Sequence, residues 1–148
     1  MLMRQLCFSL LAALLLSCDL DSEGGGSKAD EVATDWAEAY FNYDFKRADR
    51  LVAPEGRKWL RFAASNLTQE DIEVLQQQSE LARVELTDCE YLTDSTWEAT
   101  LEVSNFVMPD TIGRAARVFD EAVRFTVPVV SRNGRMYVKM EGLPRPLP

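Results

Sequence analysis

The stretch that decides the fold of this chain is Thr96-Trp-Glu-Ala-Thr-Leu-Glu-Val-Ser-Asn-Phe-Val107. Trp97, Ala99, Leu101 and Val103 are apolar, and the residues between them are polar. Because successive side chains of a strand point to opposite faces, this alternation predicts a half-buried strand. The apolar face of such a strand needs a cover, and the helical patterns in the first half of the chain can supply it.

The start of the chain has the pattern of a secretory signal. Arg4 gives a basic start, and Leu6–Leu16 is an apolar run, shorter than the ~20 residues of a membrane-spanning helix. The run ends in Leu15-Leu-Ser-Cys18, which resembles the lipobox of bacterial lipoproteins. The resemblance implies a lipoprotein signal peptide over residues 1–17, with diacylglycerol on the Cys18 sulfur and an acyl chain such as palmitate on its amine. The alternative is an ordinary signal peptide followed by an incidental cysteine.

The charge of the chain restricts its partners. The 148 residues carry a formal net charge of −8. Loss of residues 1–17 would remove the basic residue Arg4 and make the net charge one unit more negative. We expect no nucleic-acid partner, because phosphate binding depends on clustered lysine and arginine. Anionic headgroups should also repel the domain, so the lipid on Cys18 is the expected membrane anchor.

Cysteine and histidine usage limits the chemistry. The chain has three cysteines and no histidine, which excludes a Cys–His pair. Cys7 leaves with the signal peptide and Cys18 is taken by lipid, so Cys89 remains alone. A single cysteine in a strand is more typical of a small packed hydrophobe than of a nucleophile. We found no catalytic motif, and we expect neither a metal nor a cofactor.

Residues 18–27 combine glycines with acidic residues, which predicts a flexible tether. Ser27 is expected to cap the first helix, whose apolar stripe contains Val32, Ala33, Trp36, Ala37, Tyr40 and Phe41. Asp44 is placed to cap a second helix, and Pro54 suits the first turn of a third. Thr68 and the acidic residues after it predict a capping box that opens a fourth.

From about Ala82 the hydrophobic period changes from helical to two, which predicts two hairpins. Asn133-Gly134 is a strong hairpin turn signal, and Pro128 marks a sheet edge or a bulge. The Pro-rich tail over residues 143–148 is expected on a sheet edge or in solvent, with a polyproline ligand as the less favoured interpretation. The predicted strands cover residues 83–92, 96–107, 117–131 and 136–140.

Helices followed by two hairpins indicate an α+β fold, with N-terminal helices packed on a curved four-stranded antiparallel sheet. This order resembles the nuclear transport factor 2-like superfamily, in which a curved sheet wraps a long first helix into a cone. The resemblance covers residues 28–142. It rests on Ala39-Tyr-Phe-Asn-Tyr-Asp-Phe-Lys-Arg-Ala48, on Pro54 and on the long strands. A group of bacterial lipoproteins of unknown function has this layout.

The resemblance implies that the open end of the cone holds any ligand pocket or active site. Tyr40, Tyr43 and Glu121 are the candidate pocket residues. Dehydratases of this superfamily use a His–Asp pair, which a chain without histidine cannot make. Ketosteroid isomerases use an Asp base with a Tyr and a neutral acid in an apolar pocket. No spacing here matches that motif, so no catalytic residue is carried over.

Two residue sets have alternative interpretations. Glu121 either shares a concave face with Phe119 and Phe125, or turns outward at a bulge near Asp120. We favour the outward orientation, since bulges are common on strongly bent sheets. Three tryptophans and Tyr40 either line a cavity or fill the core, and we favour the core. The tryptophans are Trp36, Trp59 and Trp97.

The expected function is that of a lipid-anchored protein of the bacterial cell envelope, on the periplasmic or surface side of the outer membrane. Its domain is expected to bind a small ligand or a protein partner without catalysis. The alternative is a histidine-free acid–base enzyme of the ketosteroid-isomerase type that uses Glu121 with Tyr40 or Tyr43. A homodimer formed through the sheet, as in other members of the superfamily, is a third hypothesis.

Overall fold

A computed structural model of the chain describes residues 21–109, 114 and 116–148, with side chains from Lys28 onward. The predicted signal peptide and Cys18 lie outside the described residues. The helices are α1 (Asp21–Phe41), α2 (Phe45–Leu51), a short 3-10 helix (Pro54–Gly56), α3 (Arg57–Ser65) and α4 (Gln69–Gln76). The strands are β1 (Arg83–Thr93), β2 (Thr96–Ser104), β3 (Phe106–Met108), β4 (Arg117–Phe119), β5 (Val123–Arg132) and β6 (Arg135–Val138).

Four strands form one antiparallel sheet in the order β1-β2-β5-β6. The alternation of β2 decides which face is covered, since its apolar side chains are buried and its glutamates are not. Each inward residue of β2 lies opposite an apolar residue of β5. The pairs are Trp97 with Val129, Ala99 with Val127, Leu101 with Phe125, and Val103 with Val123. The predicted α+β arrangement of helices on a four-stranded antiparallel sheet is confirmed.

The two longest predicted strands are each interrupted in the structure. Asn105 interrupts the first of them with a φ of 55°, a left-handed conformation that asparagine tolerates better than most residues. Residues 120–122 interrupt the second and separate β4 from β5. β3 and β4 pair with each other instead, and Phe106 stacks on Phe119 with ring centroids 4.8 Å apart. The prediction of unbroken strands over 96–107 and 117–131 is therefore wrong.

Helix α1 packs against the sheet and buries the predicted stripe. Val32, Ala33, Trp36, Ala37 and Phe41 are all buried. The helix already includes residues 21–27, so Ser27 lies inside it and is not its cap. The backbone of residues 21–27, in the segment expected to be a tether, is helical.

The predicted caps of the shorter helices are confirmed. The Asp44 carboxylate accepts a hydrogen bond from the Arg47 amide at 3.0 Å at the start of α2. At α4 the Asp71 amide donates to the Thr68 hydroxyl at 3.2 Å, and the Thr68 amide donates to the Asp71 carboxylate at 2.8 Å. This reciprocal pair is a capping box, and each such cap stabilises a helix by about 1 kcal/mol.

The short 3-10 helix brings the chain against the residues that follow β6. Glu55 forms an ion pair with Arg132 of β5, which lowers the pKa of Glu55 to about 2. Gly56 is buried, and a Cβ atom there would lie 2.9 Å from Val52 Cγ1 and 3.0 Å from the Met140 carbonyl oxygen. The chain therefore needs a residue without a side chain at this contact.

Replacing Gly56 with alanine is expected to lower the free energy of unfolding by about 1–3 kcal/mol, because a backbone oxygen would have to move. Urea unfolding measures this loss. Gly142→Ala is the matched control, since a Cβ at Gly142 has nothing within 4 Å. The control should stay within about 0.5 kcal/mol of the parent. Equal losses in the two variants would contradict the close packing at Gly56.

Residues 142–148, called the tail below, lie along the open edge of β5. This edge is open because β6 pairs only with Val129–Arg132 of β5. Pro146 lies opposite Phe125 in an antiparallel bridge, and the Leu147 amide donates to the Arg124 carbonyl at 2.8 Å. Of the positions expected for this segment, the sheet edge is the one observed.

The outer face of β1 and β2 is acidic. The strand register places Glu85 opposite Glu102, and Glu90 opposite Glu98. Like charges directly opposite each other destabilise a sheet. Arg124 of β5 offsets part of this repulsion, because it forms an ion pair with Glu102 at 3.0 Å. β1 is the outermost strand on this side of the sheet, and its register shifts mark it as irregular.

Candidate functional site

The candidate site begins where α1 ends. Tyr43 has a φ of 61°, its amide donates to the Tyr40 carbonyl at 3.1 Å, and the Asp44 amide donates to the Ala39 carbonyl at 2.9 Å. These two bonds form the Schellman motif that closes many helices, usually around a glycine. A tyrosine in this conformation costs roughly 1–2 kcal/mol relative to the right-handed one. The rest of the site supplies compensating contacts.

The Tyr43 side chain ties the end of α1 to β3. Its hydroxyl donates to the Val107 carbonyl at 2.5 Å, and its ring lies against Phe45 with centroids 5.6 Å apart. Burial is the main cause that raises the pKa of Tyr43, with smaller contributions from Tyr40 and Asp71. The hydroxyl therefore stays protonated and remains a donor at neutral pH.

Tyr40 lies one helical turn beyond Trp36, and the two rings stack with centroids 5.1 Å apart. Phe41 and Phe45 meet the Tyr40 ring edge to face at 5.2 and 5.7 Å. Burial raises the pKa of Tyr40 to about 12. Among the described residues the Tyr40 hydroxyl makes no hydrogen bond. It is therefore a neutral phenol set in an aromatic cluster.

The two tyrosines line a cavity of about 150 Å³, called the Tyr pocket below. Its walls come from the end of α1, the start of α2, the end of α3 with the two residues after it, strand β3 with the residue after it, and the tail. The described lining residues are Tyr40, Phe41, Tyr43, Phe45, Ala63, Asn66, Leu67, Val107, Met108, Pro109, Leu143 and Pro144. Most of these described residues are apolar, and the two tyrosines are the only ionisable residues among them.

The chemistry of the Tyr pocket suits binding better than proton transfer. Both phenols are neutral at physiological pH, so neither is a base there. No carboxylate is present among the described lining residues. The pocket offers apolar surface, two phenol groups and the Asn66 side chain. Such a mixture of apolar walls and a few polar groups is typical of ligand sites.

The structure brings Tyr40 and Tyr43 together but places Glu121 elsewhere. Glu121 is exposed, in the interruption between β4 and β5, and does not line the Tyr pocket. The outward orientation that we favour from the sequence is the one observed, because the strand stops at Phe119 and resumes at Val123. The isomerase alternative needs a carboxylate beside a tyrosine, and Glu121 does not supply it.

Two of the three tryptophans have the core role that we favour from the sequence. Trp36 and Trp97 are buried, and Trp59 is half-buried against the same core. None of the tryptophans lines the Tyr pocket, but Tyr40, for which we also favour a core role from the sequence, does line it. Cys89 also packs against the core, and burial raises its pKa to about 12, so it is a thiol and a weak nucleophile at neutral pH.

Sequence patterns did not indicate several walls of the Tyr pocket. Ala63, Met108 and Leu143 come from three distant parts of the chain, and only the folded backbone brings them together. In the described part of the chain, no group of His, Cys, Asp and Glu side chains could hold a metal ion. No described helix has both the length and the apolar character of a membrane span.

No protein-family model and no curated protein matches this chain. Among solved structures, an Ntf2-like protein involved in plasmid conjugation is similar, with a TM-score of 0.46 and 11% identity. The match covers 86% of this chain and 49% of the other, so this chain spans about half its length.

Two other similar structures are matched over most of their own length. One is a candidate dehydratase of the NTF2-like family from Streptomyces avermitilis, with a TM-score of 0.45, 16% identity, and coverage of 78% of this chain and 92% of that one. The other is a candidate polyketide cyclase from Xanthomonas campestris pv. campestris, with a TM-score of 0.36, 15% identity, and the same coverage values of 78% and 92%. These three proteins are what this chain is similar to, and no residue role is transferred from them.

Proposed function

We propose that this protein is a lipid-anchored component of the bacterial cell envelope whose folded domain binds an apolar group in the Tyr pocket without catalysis. The observation that carries the binding proposal is the pocket itself, a mostly apolar cavity whose tyrosines remain neutral at physiological pH. The lipobox-like Leu15-Leu-Ser-Cys18 supports the anchor.

The volume of the Tyr pocket limits the size of the group that it can bind. Drug-sized ligands occupy sites of about 300–1,000 Å³, whereas an apolar cavity of about 150 Å³ accommodates a molecule of benzene size. The Tyr pocket has a volume of about 150 Å³. We therefore propose that its occupant is one ring or branched apolar group, either a small molecule by itself or the anchoring group of a larger partner.

Toluene is a suitable probe of this proposal. We expect it to bind with a Kd of about 1 mM or tighter and to shift the amide resonances of Tyr43 and Val107 in NMR titrations. Ala63→Phe places a ring in the pocket and should abolish binding. Ala64→Phe is the matched control, because Ala64 is exposed on the same helix and does not line the Tyr pocket. Unchanged toluene binding in Ala63→Phe would refute the proposal.

The anchor is tested by changing the predicted lipidation residue. Expressed with its leader in a bacterial host, the parent chain should sediment with membranes, and Cys18→Ala should appear in the soluble fraction. Each buried methylene of the acyl chains contributes about 0.8 kcal/mol, so two or three chains hold a protein stably. Mass spectrometry of the parent should show the lipid on Cys18. An unmodified Cys18 in a membrane-bound parent would remove this part of the proposal.

A further inference from the structure

The positive charge of this acidic chain is concentrated in one segment. Residues 45–61 contain six of the 16 lysines and arginines of the chain but only two of its 24 acidic residues. The segment therefore carries a net charge of +4, whereas the whole chain carries −8. It forms α2, the 3-10 helix and the first half of α3. A block of one charge sign in a chain of the opposite sign indicates an interaction surface.

Helix α3 presents basic and aromatic side chains to solvent together, and it contains no acidic residue. Leu60 is buried against the core. Lys58 and Arg61 are exposed, and Phe62 is 50% exposed. The Lys58 Nζ lies 5.4 Å from the centroid of the Trp59 ring, and Trp59 meets Phe62 edge to face with centroids 6.3 Å apart.

Helix α2 extends this surface. Lys46 of α2 is also exposed, and it lines one shallow depression together with Arg61 of α3. None of the ion pairs within the described residues involves Lys46, Lys58 or Arg61. These three side chains, together with Trp59 and Phe62, are called the basic face below.

The carboxylates beside the basic face are paired within the protein. Asp49 lines the same depression, and its Oδ2 lies 3.7 Å from the Nε of Arg57. Glu55 forms an ion pair with Arg132. These pairs reduce the negative charge next to the basic face.

We propose that the basic face is a membrane-contact surface, which lies against anionic phospholipid headgroups while Trp59 and Phe62 enter the interfacial region of the bilayer. The inference rests on the proposed lipid anchor, which brings the domain to a membrane. Charge complementarity identifies the occupant, because each lysine or arginine near an anionic membrane raises the affinity about fivefold. Basic residues beside exposed aromatic rings are typical of helices that lie in the membrane interface.

The negative charge of the whole chain does not prevent this contact. Exposed charges are largely screened beyond about 8–10 Å at physiological ionic strength, so the side chains nearest the headgroups dominate. The opposed glutamates of β1 and β2 lie on the outer face of the sheet, whereas α2 and α3 belong to the helices on the other face.

The proposal also defines the orientation of α1. Helix α1 has 21 residues and is therefore about 30 Å long, and α3 contributes walls to the Tyr pocket at the carboxyl end of α1. Cys18 precedes the other end of α1 by three residues in the sequence. A chain held both at Cys18 and at the basic face therefore has α1 along the membrane rather than perpendicular to it.

Vesicle binding by a chain without the lipid tests the basic face alone. Full-length Cys18→Ala is mixed with phosphatidylcholine vesicles or with vesicles that contain about one third phosphatidylglycerol, and bound protein is measured by co-sedimentation. We expect stronger binding to the anionic vesicles, weakened about 10-fold or more by Arg61→Glu. Arg83→Glu is the matched control, since Arg83 is exposed on β1 and the change in net charge is the same. It should weaken binding less than about 2-fold.

Two results of this assay overturn the proposal. One is equal binding to the two kinds of vesicle, or none to either, which would leave an acidic protein surface as the occupant of the basic face. The other is an equal loss in Arg61→Glu and Arg83→Glu, which would mean that only net charge matters. Any contribution of residues 1–17 is the same in all these chains. Unchanged thermal midpoints show that both variants are folded, as expected at exposed positions.

Tryptophan fluorescence of the lipidated parent is a second measurement. Trp36 and Trp97 are 1% and 5% exposed, so the half-buried Trp59 is the tryptophan that a membrane can reach. In vesicles of phosphatidylglycerol with brominated acyl chains, we expect quenching of the parent and a loss of this quenching in Trp59→Phe. An unquenched parent, or equal quenching in Trp59→Phe, would overturn the proposal.

The anchor and the basic face fail separately, because Cys18→Ala cannot carry the lipid. Preference of this chain for anionic vesicles, together with an unmodified Cys18 in the parent, would remove the anchor and keep the membrane-contact surface. A lipidated parent whose Cys18→Ala chain shows no such preference would keep the anchor and remove the surface.

Discussion

Replacing Phe125 with alanine is expected to lower the free energy of unfolding by about 3–5 kcal/mol. Phe125 is fully buried, with 0% exposure, and lies opposite Leu101 in the sheet. Its ring centroid lies 4.8 Å from that of Phe41 and 5.8 Å from that of Phe106. The variant would leave a cavity at the point where α1, the main sheet and the β3–β4 ribbon meet, and urea unfolding measures the loss.

Phe62→Ala is the matched control for this deletion. Phe62 belongs to α3 and is 50% exposed, so the same atoms are removed where solvent already reaches the ring. We expect this variant to lose less than about 1 kcal/mol. Similar losses at the two positions would mean that the aromatic cluster around Phe125 is not the centre of the core.

Stability above pH 10 is expected to depend on Tyr40. Burial raises its pKa from 10.0 to about 12 in the folded state. The neutral form is thus favoured by folding, so this stabilisation is fully present below pH 10 and is lost as the pH rises towards 12. A shift of this size corresponds to about 3 kcal/mol at full titration. Tyr43, whose pKa is also raised by burial, adds a loss in the same direction.

Tyr40→Phe keeps the ring and removes the group that titrates. We expect the variant and the parent to lose different amounts of stability between pH 10 and pH 12, with the loss smaller by about 2–3 kcal/mol in the variant. Urea unfolding at pH 7, 10, 11 and 12 provides the measurement. An equal loss of unfolding free energy in the two proteins would mean that the Tyr40 hydroxyl reaches solvent in the folded state.

Local features of this fold can be predicted from sequence because a few neighbouring residues decide them. The Asp44 cap and the Thr68–Asp71 capping box depend on side chains within three positions of the amides that they bind. The inward face of β2 follows from strict alternation. Each of these features is recognisable without knowledge of the rest of the chain.

The interruptions of the strands depend on distant contacts. Asn105 ends β2 where Phe106 turns away to stack on Phe119. The alternation of apolar and polar residues continues across both breaks, so the sequence pattern suggests unbroken strands. The position of Glu121 depends on the second break, so the sequence offers two orientations, of which the favoured outward one is observed.

The candidate site was only partly predictable for a related reason. Tyr40 and Tyr43 lie at the end of a helix that the sequence defines, so both could be named in advance. The other walls are brought in by β3, by α3 and by the tail, and no spacing in the sequence links them. The left-handed backbone at Tyr43, which directs its side chain, has no sequence signal, because glycine is the usual residue there.

The glutamates that face each other across β1 and β2 have a consequence for how copies of the protein meet. An outermost strand offers unpaired backbone groups, and another chain can add to it and start aggregation. Here a second β1 would bring further carboxylates beside Glu85 and Glu90, in a chain with a formal net charge of −8. Electrostatic repulsion between these carboxylates therefore opposes the pairing of two β1 strands at neutral pH. Screening by salt weakens that protection.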